Sequence, residues 1–410
     1  MTAEKIMQII HDTAYVRTGG SDEELACANY LKSVADAMGI PAHLEEFAVN
    51  MATVSDAHLY IDGVEIECKG YMGSGCANLE APLYYLTSTD PYSLTQVKDK
   101  IVLAEGRIGH WTYRDIVEHG ALGFITYDGH VNYADNDIDN RELRPQVCEG
   151  VAKLPGVNIN VKSAVKIVES GAKTAKIVLE QEEYEGKSHN VVFELPGEIE
   201  DTIVFTAHYD STSLSQGSYD NMTGSVGLLA MAEYFKDAPH RYSMRFVLCG
   251  SEERGLLGSK AYVAAHEEEL NKFALNINLD MIGSIMGKFI ACCTCEADAV
   301  SYIKYMGFEL GFPVATRQDV YSSDSTPFAD KGIPAISFAR IAPGNAATIH
   351  NRYDTPALLS GEQMVKDIDF IQAFASRMAN SVMLPIEKKM PDNMKEKLDE
   401  YLMRKRPKNA

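Results

Sequence analysis

Hydrophobic positions divide the chain into two textures. Residues 202–207, 244–248, 274–279, 288–292 and 334–339 are short, nearly uninterrupted apolar runs. Between several of them, at 221–235, 259–265 and 299–311, apolar residues recur at helical spacing. Strands apolar on both faces, alternating with helices, predict a largely parallel sheet covered on both sides. Residues 361–383 read as a closing helix. Near the start, Ser21-Asp22-Glu23-Glu24 has the form of a capping box, with Ser21 as N-cap and Glu24 three residues on. Leu25, Tyr30, Leu31, Val34 and Met38 then follow the helical period until Gly39 stops it, and a strand is expected at 43–49. From about residue 55 the texture changes. Short β-rich runs at 58–61, 64–68, 83–86 and 101–103 are separated by Gly, Pro and Asp turns, which predicts a small β-rich module reaching about residue 185.

The predicted fold class is therefore α/β: a mostly parallel, mixed central sheet with helices on both faces, interrupted by an inserted β-rich domain. Residues 1–54 and 186–385 form the main domain, 55–185 the insertion and 386–410 a tail. That tail holds eight basic and five acidic residues, and Met394, Leu398, Tyr401 and Leu402 give it the spacing of an amphipathic helix. A subunit or partner contact, compatible with a homo-oligomer, and a helix packed back on its own acidic body or left frayed are equally open readings.

Composition narrows the function classes. Lys and Arg number 38 against 58 Asp and Glu, a formal net charge of −20. That balance argues against a nucleic-acid partner, which needs a basic footprint. No apolar run approaches the ~18–20 residues that span a bilayer, so no membrane partner is expected. The first residues interrupt their apolar stretch at His11 and Asp12 and offer no cleavage site, so no secretory leader is expected. The eight cysteines are scattered, and the cluster Cys292, Cys293 and Cys295 sits in an apolar run that reads as a buried strand. Reduced core thiols and a cytoplasmic location are the expectation.

Candidate chemistry lies where the apolar runs end. The run at 202–207 leads into His208-Tyr209-Asp210, that at 244–248 into Glu252-Glu253, and that at 274–279 into Asp280; His350 follows the last strand, and Asp220 precedes the helix at 221–235. In open parallel sheets ligands bind beyond the carboxyl ends of the strands, so these residues can meet in one crevice. Two His and three carboxylates serve two metal ions if one carboxylate bridges, and ions so bridged sit roughly 3.5–4 Å apart. Glu252-Glu253 supplies one acid as ligand and one to accept and return a proton. Asp210, two residues past His208, is placed to accept the other imidazole N–H and fix its tautomer.

These residues resemble the M28 zinc aminopeptidases. HYDSTSLSQGSYDN (208–221) resembles that family's first metal motif, CGSEERGLLGSKAYV (249–263) its Glu-Glu segment, NINLDMIG (276–283) its next ligand, and SSDSTPFADKGIPAISF with IHNRYDT (322–338 and 349–355) its final region. The resemblance implies that His208 and Asp280 bind one zinc, Glu253 and His350 the other, and that Asp220 bridges, with Glu252 as general base. It implies a di-zinc peptidase acting on peptide substrates, releasing N-terminal residues; Co2+ or Mn2+ also suit the donor set. The module at 55–185 is similar to the protease-associated (PA) domain, through 97–129 and 154–172. Two positions depart from the family pattern. Ile349 stands where some members have a Tyr, for which Tyr353 or Tyr209 are candidate substitutes, and Ser325 follows Asp324 where a His is common. Both touch transition-state stabilisation and substrate choice, not the metal set.

Two other readings stay open: a carboxypeptidase or dipeptidase on the same scaffold, and a non-catalytic, receptor-like binding protein of the same fold. Other motifs read as ordinary structure. His266-Glu267-Glu268-Glu269-Leu270 begins like a zincin motif but ends in Leu, predicting a solvated helix end. Asp135, Asp137 and Asp139 alternate like a calcium loop, yet Asn140 and Gln146 stand where Gly and Glu belong. Trp111 beside His110 reads as a hydrophobic anchor or a substrate rim.

Overall fold

The computed structural model describes residues 1–104, 106–134 and 137–407; Asp135 lies outside them. The chain divides into two compact units, residues 1–49 with 187–405, and residues 50–186 with 406–410.

In the first unit the strand order is Ala315–Gln318, Lys288–Thr294, Ala335–Ile341, Phe273–Leu279, Ile199–His208, Tyr242–Cys249, then the C-terminal part of Thr174–Leu195. The four strands from Ala335–Ile341 to Tyr242–Cys249 are mutually parallel, and the two outermost of them each have an antiparallel neighbour on the outside. Chain order reverses around Ile199–His208: the next strand lies on one side and Phe273–Leu279 on the other, so His208 ends the strand at the switch point.

The continuous apolar runs are explained by burial on both faces. Phe193, Phe205 and Phe246 point into one core, where their rings stack at 4.7–5.2 Å. Their neighbours Val192, Val204 and Val247 point into a second core with Tyr262, Phe273 and Phe328. Each such side chain contributes roughly 1.5–3 kcal/mol on burial, and the polar residues inside these strands, Thr206, Asn276, Asn278 and Ser337, are buried and hydrogen-bonded to one another or to backbone. Helices Thr223–Asp237, Asp298–Leu310 and Gly361–Ala379 supply much of the first core, together with Asp22–Ala37 and a helix at Ala3–Asp12. That last helix is not anticipated from the sequence, although Ile6, Ile9 and Ile10 occupy its buried stripe.

Two strands run far longer than the sequence pattern suggests, Ala42–Ile61 and Thr174–Leu195. Both carry many half-exposed and exposed positions, so neither shows a sustained apolar run. Cys292, Cys293 and Cys295 are buried free thiols. Residues 392–401 form the expected amphipathic helix, and Met394 and Leu398 are buried beside Ala329 and Ala335 of the same unit; of the two readings of this segment, the packed-back helix is the one observed.

The second unit is less purely β than its sequence suggests. Strands Ala77–Leu86, Ile101–Ala104, Gly123–Asp128 and Gly156–Asn160 are parallel in that order, with Cys68–Gly70 antiparallel at the edge. Helices His110–Glu118 and Val161–Ser170 belong to the same unit. Trp111 packs edge-on to His110 and under the Arg406 guanidinium, 5.6 Å from its ring centre. Asp139 pairs with Arg141 at 3.3 Å. Among the described residues no helix is long and apolar enough to cross a membrane.

Candidate metal centre

The structure brings all seven sequence-predicted residues to the carboxyl ends of the parallel strands. His208 is the last residue of its strand, Glu252 and Glu253 follow Cys249 by three and four residues, and Asp280 follows Leu279 directly. Asp220 lies in the turn Ser218–Met222, and its peptide bond to Asn221 is cis. His350 sits in the loop after Ala335–Ile341 with a positive φ of 60°.

Asp220 stands between the two imidazoles. Its Oδ1 is 3.1 Å from His208 Nε2 and its Oδ2 3.0 Å from His350 Nε2. Asp280 Oδ1 and Glu252 Oε2 approach His208 Nε2 at 3.8 and 3.9 Å, and Glu253 Oε1 lies 3.1 Å from His350 Nε2. The ligand-capable atoms of His208, Asp220 and Asp280 fall within 4.8 Å of one another, as do those of Asp220, Glu253 and His350.

The electrostatics follow from crowding acids into a buried space. Burial alone pushes the His208 imidazole down, but the charge of Glu252 and the contacts with Asp210 and Asp220 carry it well above its ordinary range. His350 is likewise raised, to about 10, by Glu253 and Asp220 against its own burial. Burial pushes the Asp280 carboxyl up to about 7 and that of Glu252 well above the carboxylate range, in both cases against the pull of His208. Burial acts upward on Asp220 too, but the bonds to both imidazoles hold it low. Asp280 Oδ1 is buried with no hydrogen-bond donor. Acids held this way are costly unless a cation shares them, and imidazole nitrogen with carboxylate oxygen is a donor set that zinc accepts. The residues therefore fit a metal-ion site.

Polar side chains behind the cluster fix it. Asp210 is fully buried, lies 3.4 Å from His208 Nδ1, and accepts hydrogen bonds from the backbone N–H of Glu252 at 3.0 Å and Glu253 at 3.1 Å. It thus holds the Glu-Glu turn as well as facing the imidazole. Asp354 accepts from Tyr219 N at 2.7 Å, Asp220 N at 3.2 Å and Ser215 Oγ at 3.1 Å. Asn221 ties the same turn to the next strand, donating to Leu279 O and accepting from Met281 N, both at 2.9 Å. Helix Thr223–Asp237 starts so close to that strand that a Cβ on Gly224 would lie 2.2 Å from Leu279 O.

Several of these residues escape sequence reasoning. Asp354 and Asn221 fall inside quoted motifs, but nothing local announces what they hold. The expected tyrosine substitute is narrowed: Tyr209 is fully buried and spends its hydroxyl on His189 O at 2.7 Å, whereas Tyr353 is 40 % exposed on the His350 loop. Ile349 packs against the main core. Ser325, in the position where a His is common, hydrogen-bonds Ser337 at 2.8 Å in the interior, beside a buried Asp324 that desolvation raises to about 6. The 266–270 segment is a solvated helix end, as expected, with His266 capping Leu257–Ala265 and Glu267 and Glu268 exposed. His266 itself is half-buried, its Nδ1 meeting Glu269 at 2.8 Å and its Nε2 Glu45 at 3.1 Å.

Comparison with known proteins gives this geometry a context. Residues 190–374 match the family model described as Peptidase family M28. Aminopeptidase YwaD of Bacillus subtilis (strain 168) is 29% identical over 278 residues, 63% of this chain and 58% of its own. Leucine aminopeptidase 2 of Arthroderma otae is 28% identical over 282 residues, 68% of this chain and 54% of its own. The matched region thus spans little more than half the length of these curated relatives. Among solved structures, BSAP, a zinc aminopeptidase from Bacillus subtilis, superposes with a TM-score of 0.77 at 22% identity, covering 95% of this chain and 97% of that one. An aminopeptidase from Aneurinibacillus sp. strain AM-1 gives 0.73 at 24% identity, covering 94% and 96%; both share the fold. Residues 190–374, the segment that matches the Peptidase family M28 model, contain every side chain of the cluster.

Proposed function

We propose that this chain is a zinc aminopeptidase that holds two ions, one on His208 and Asp280, the other on Glu253 and His350, with Asp220 shared. One observation carries the reading: Asp220 turns one carboxylate oxygen to each imidazole, at 3.1 and 3.0 Å. When bound, the ions supply Lewis-acid activation of a water and of the scissile carbonyl. Glu252 belongs to neither ligand trio. Its carboxylate, next to His208 and desolvated, takes the proton of the attacking water and returns it to the leaving amine. Asp210 keeps the Glu252 and Glu253 amides in register for those two tasks. Residues 55–185 are read as a protease-associated module, from the likeness of 97–129 and 154–172 to its core.

The test uses the purified chain with zinc and a panel of peptides and amino-acid amides, free or acetylated at the amino end. Release of N-terminal residues from free but not acetylated substrates, with two metal equivalents per chain, is expected. Cleavage from the carboxyl end assigns a carboxypeptidase instead, and a protein with neither metal nor turnover is the receptor-like alternative. Glu252→Gln should keep both ions while turnover falls by about 10²–10⁴, the span of general-base catalysis; full activity in that variant refutes the assigned base.

A further inference from the structure

We infer that Glu24, on the N-terminal helix Asp22–Ala37 and outside the family-matched segment, is a positioning residue for Glu252. The inference rests on the peptidase reading above. Ser251, the residue before Glu252, has a φ of 53°, a left-handed conformation that a non-glycine residue adopts only when its surroundings impose it. Glu24 Oε1 accepts from Ser251 N at 2.8 Å, Ser251 Oγ at 3.2 Å and Ser188 Oγ at 3.0 Å, while its Oε2 accepts from Gly20 N at 2.7 Å. The residue is 1% exposed. Across the turn, Asp210 takes the next two amides, those of Glu252 and Glu253.

Three consecutive backbone N–H groups, 251 to 253, therefore each donate to a buried carboxylate, and the base projects from the middle one. Gly250 makes the approach feasible, because a Cβ there would lie 2.7 Å from Ser188 Oγ and 2.9 Å from Glu24 Oε1. The capping-box motif conceals this arrangement. Ser21 does cap the helix, accepting from Glu24 N at 3.1 Å, but the Glu24 carboxylate turns away from Ser21 N and toward a residue 227 positions later. Without it the Ser251 amide loses its acceptor and its hydroxyl keeps only Ser188 Oγ, at 2.9 Å, so the left-handed bend relaxes and Glu252 leaves its line to the reacting water.

The experiment compares wild type, Glu24→Ala and Glu24→Gln. Glu24→Ala should lower kcat on a free peptide by about 100-fold with KM within about threefold, since a misplacement near 1 Å costs about that much. Glu24→Gln keeps one acceptor for Ser251 and should recover kcat to within about tenfold of wild type, because one of the two oxygens is retained. Zinc content should equal wild type in both. In the metal-free chains, amide exchange at 251–253 should quicken in the order wild type, Gln, Ala. Wild-type kcat in a folded Glu24→Ala chain, or activity falling in step with lost zinc, overturns the inference. Should Glu24→Ala not fold, Glu24→Gln with wild-type kcat and wild-type exchange overturns it equally. A wild-type chain that cleaves no peptide defeats the peptidase reading instead, and the exchange measurement still judges the Glu24 bond network.

Discussion

Removing Asp354 tests whether Asp220, the proposed shared ligand, is held by the fold or by the metal. Its carboxylate is fully buried and accepts three hydrogen bonds, from Tyr219 N, Asp220 N and Ser215 Oγ. The three donor residues are themselves at most 6% exposed. In Asp354→Ala all three lose their acceptor. At roughly 1–3 kcal/mol for each buried donor left unsatisfied, with some recovery from water entering the vacated space, the turn loses about 3–6 kcal/mol. In Asp354→Asn the amide oxygen can still serve Tyr219 N, and the amide NH2 can donate to Ser215 Oγ. Only the Asp220 amide is stranded, so about 1–3 kcal/mol is lost. The assay must resolve this turn, because a chain of two compact units need not unfold in one step and the single Trp, Trp111, lies in the other unit. Amide exchange over residues 215–222 of the metal-free chain meets that need. Opening free energy should fall in the order wild type, Asn, Ala, and zinc affinity should follow the same order. Exchange in Asp354→Ala within about 1 kcal/mol of wild type, less than one unsatisfied donor costs, would refute the claim that this carboxylate holds Asp220.

The His266 clamp gives a pH prediction remote from the metal centre. Bonding to Glu45 raises the His266 pKa above its ordinary value, burial opposes, Glu269 adds to the rise, and Arg245 lies 3.4 Å from Nδ1. A raised folded pKa means the contribution is complete below about pH 6.5 and fades as pH climbs through the folded value. The Tm gap between wild type and His266→Asn should therefore be widest near pH 6 and shrink toward alkaline pH; a gap that widens there contradicts the assignment. Gly224→Ala places a Cβ 2.2 Å from the backbone oxygen of Leu279, which cannot move without carrying Asp280, whereas Gly227→Ala meets the flexible side-chain ends of Leu279 and Ile282 at 2.9 and 3.1 Å. Overpacking of about 1–3 kcal/mol is expected at Gly224 and less at Gly227; melting curves and zinc titrations on both variants check it, and equal effects would count against the close helix–strand approach.

The candidate ligands were legible because each run is mostly apolar, being buried on both faces, and acids and histidines appear only where it ends. The sequence therefore marks each strand's exit, and His208, Glu252-Glu253 and Asp280 stand at those exits. Sheet order was not legible in the same way: nothing local states that Phe273–Leu279 inserts beside Ile199–His208 rather than beyond Tyr242–Cys249, and that choice brings Asp280 within 3.8 Å of His208. The supporting acids were hidden for a related reason. Asp354 reaches residues more than 130 positions away, and Glu24 one 227 away; for Glu24, a local motif even named the wrong partner.

The buried acids sort by what they accept. Asp210 and Asp354 each receive two backbone amides, Glu24 receives two amides and two hydroxyls, and Asp367 is neutralised by Arg340, with Nε 2.8 Å away. A carboxylate bonded in this way has its acceptor sites filled from the protein and can act as a strut. Asp280 differs: one of its oxygens is buried with no donor. Asp220 differs in another way, with both side-chain oxygens turned to imidazoles rather than amides. Protons could satisfy these groups only by abolishing the charges that draw His208 and His350 toward them. A divalent cation satisfies them and preserves the charge. Hydrogen bonds thus place Glu24, the farthest from the cluster in sequence, with Asp210 and Asp354 among the builders. Asp324, buried with no donor on either oxygen and in neither ligand trio, shows that a missing donor marks a ligand only where an imidazole stands beside it.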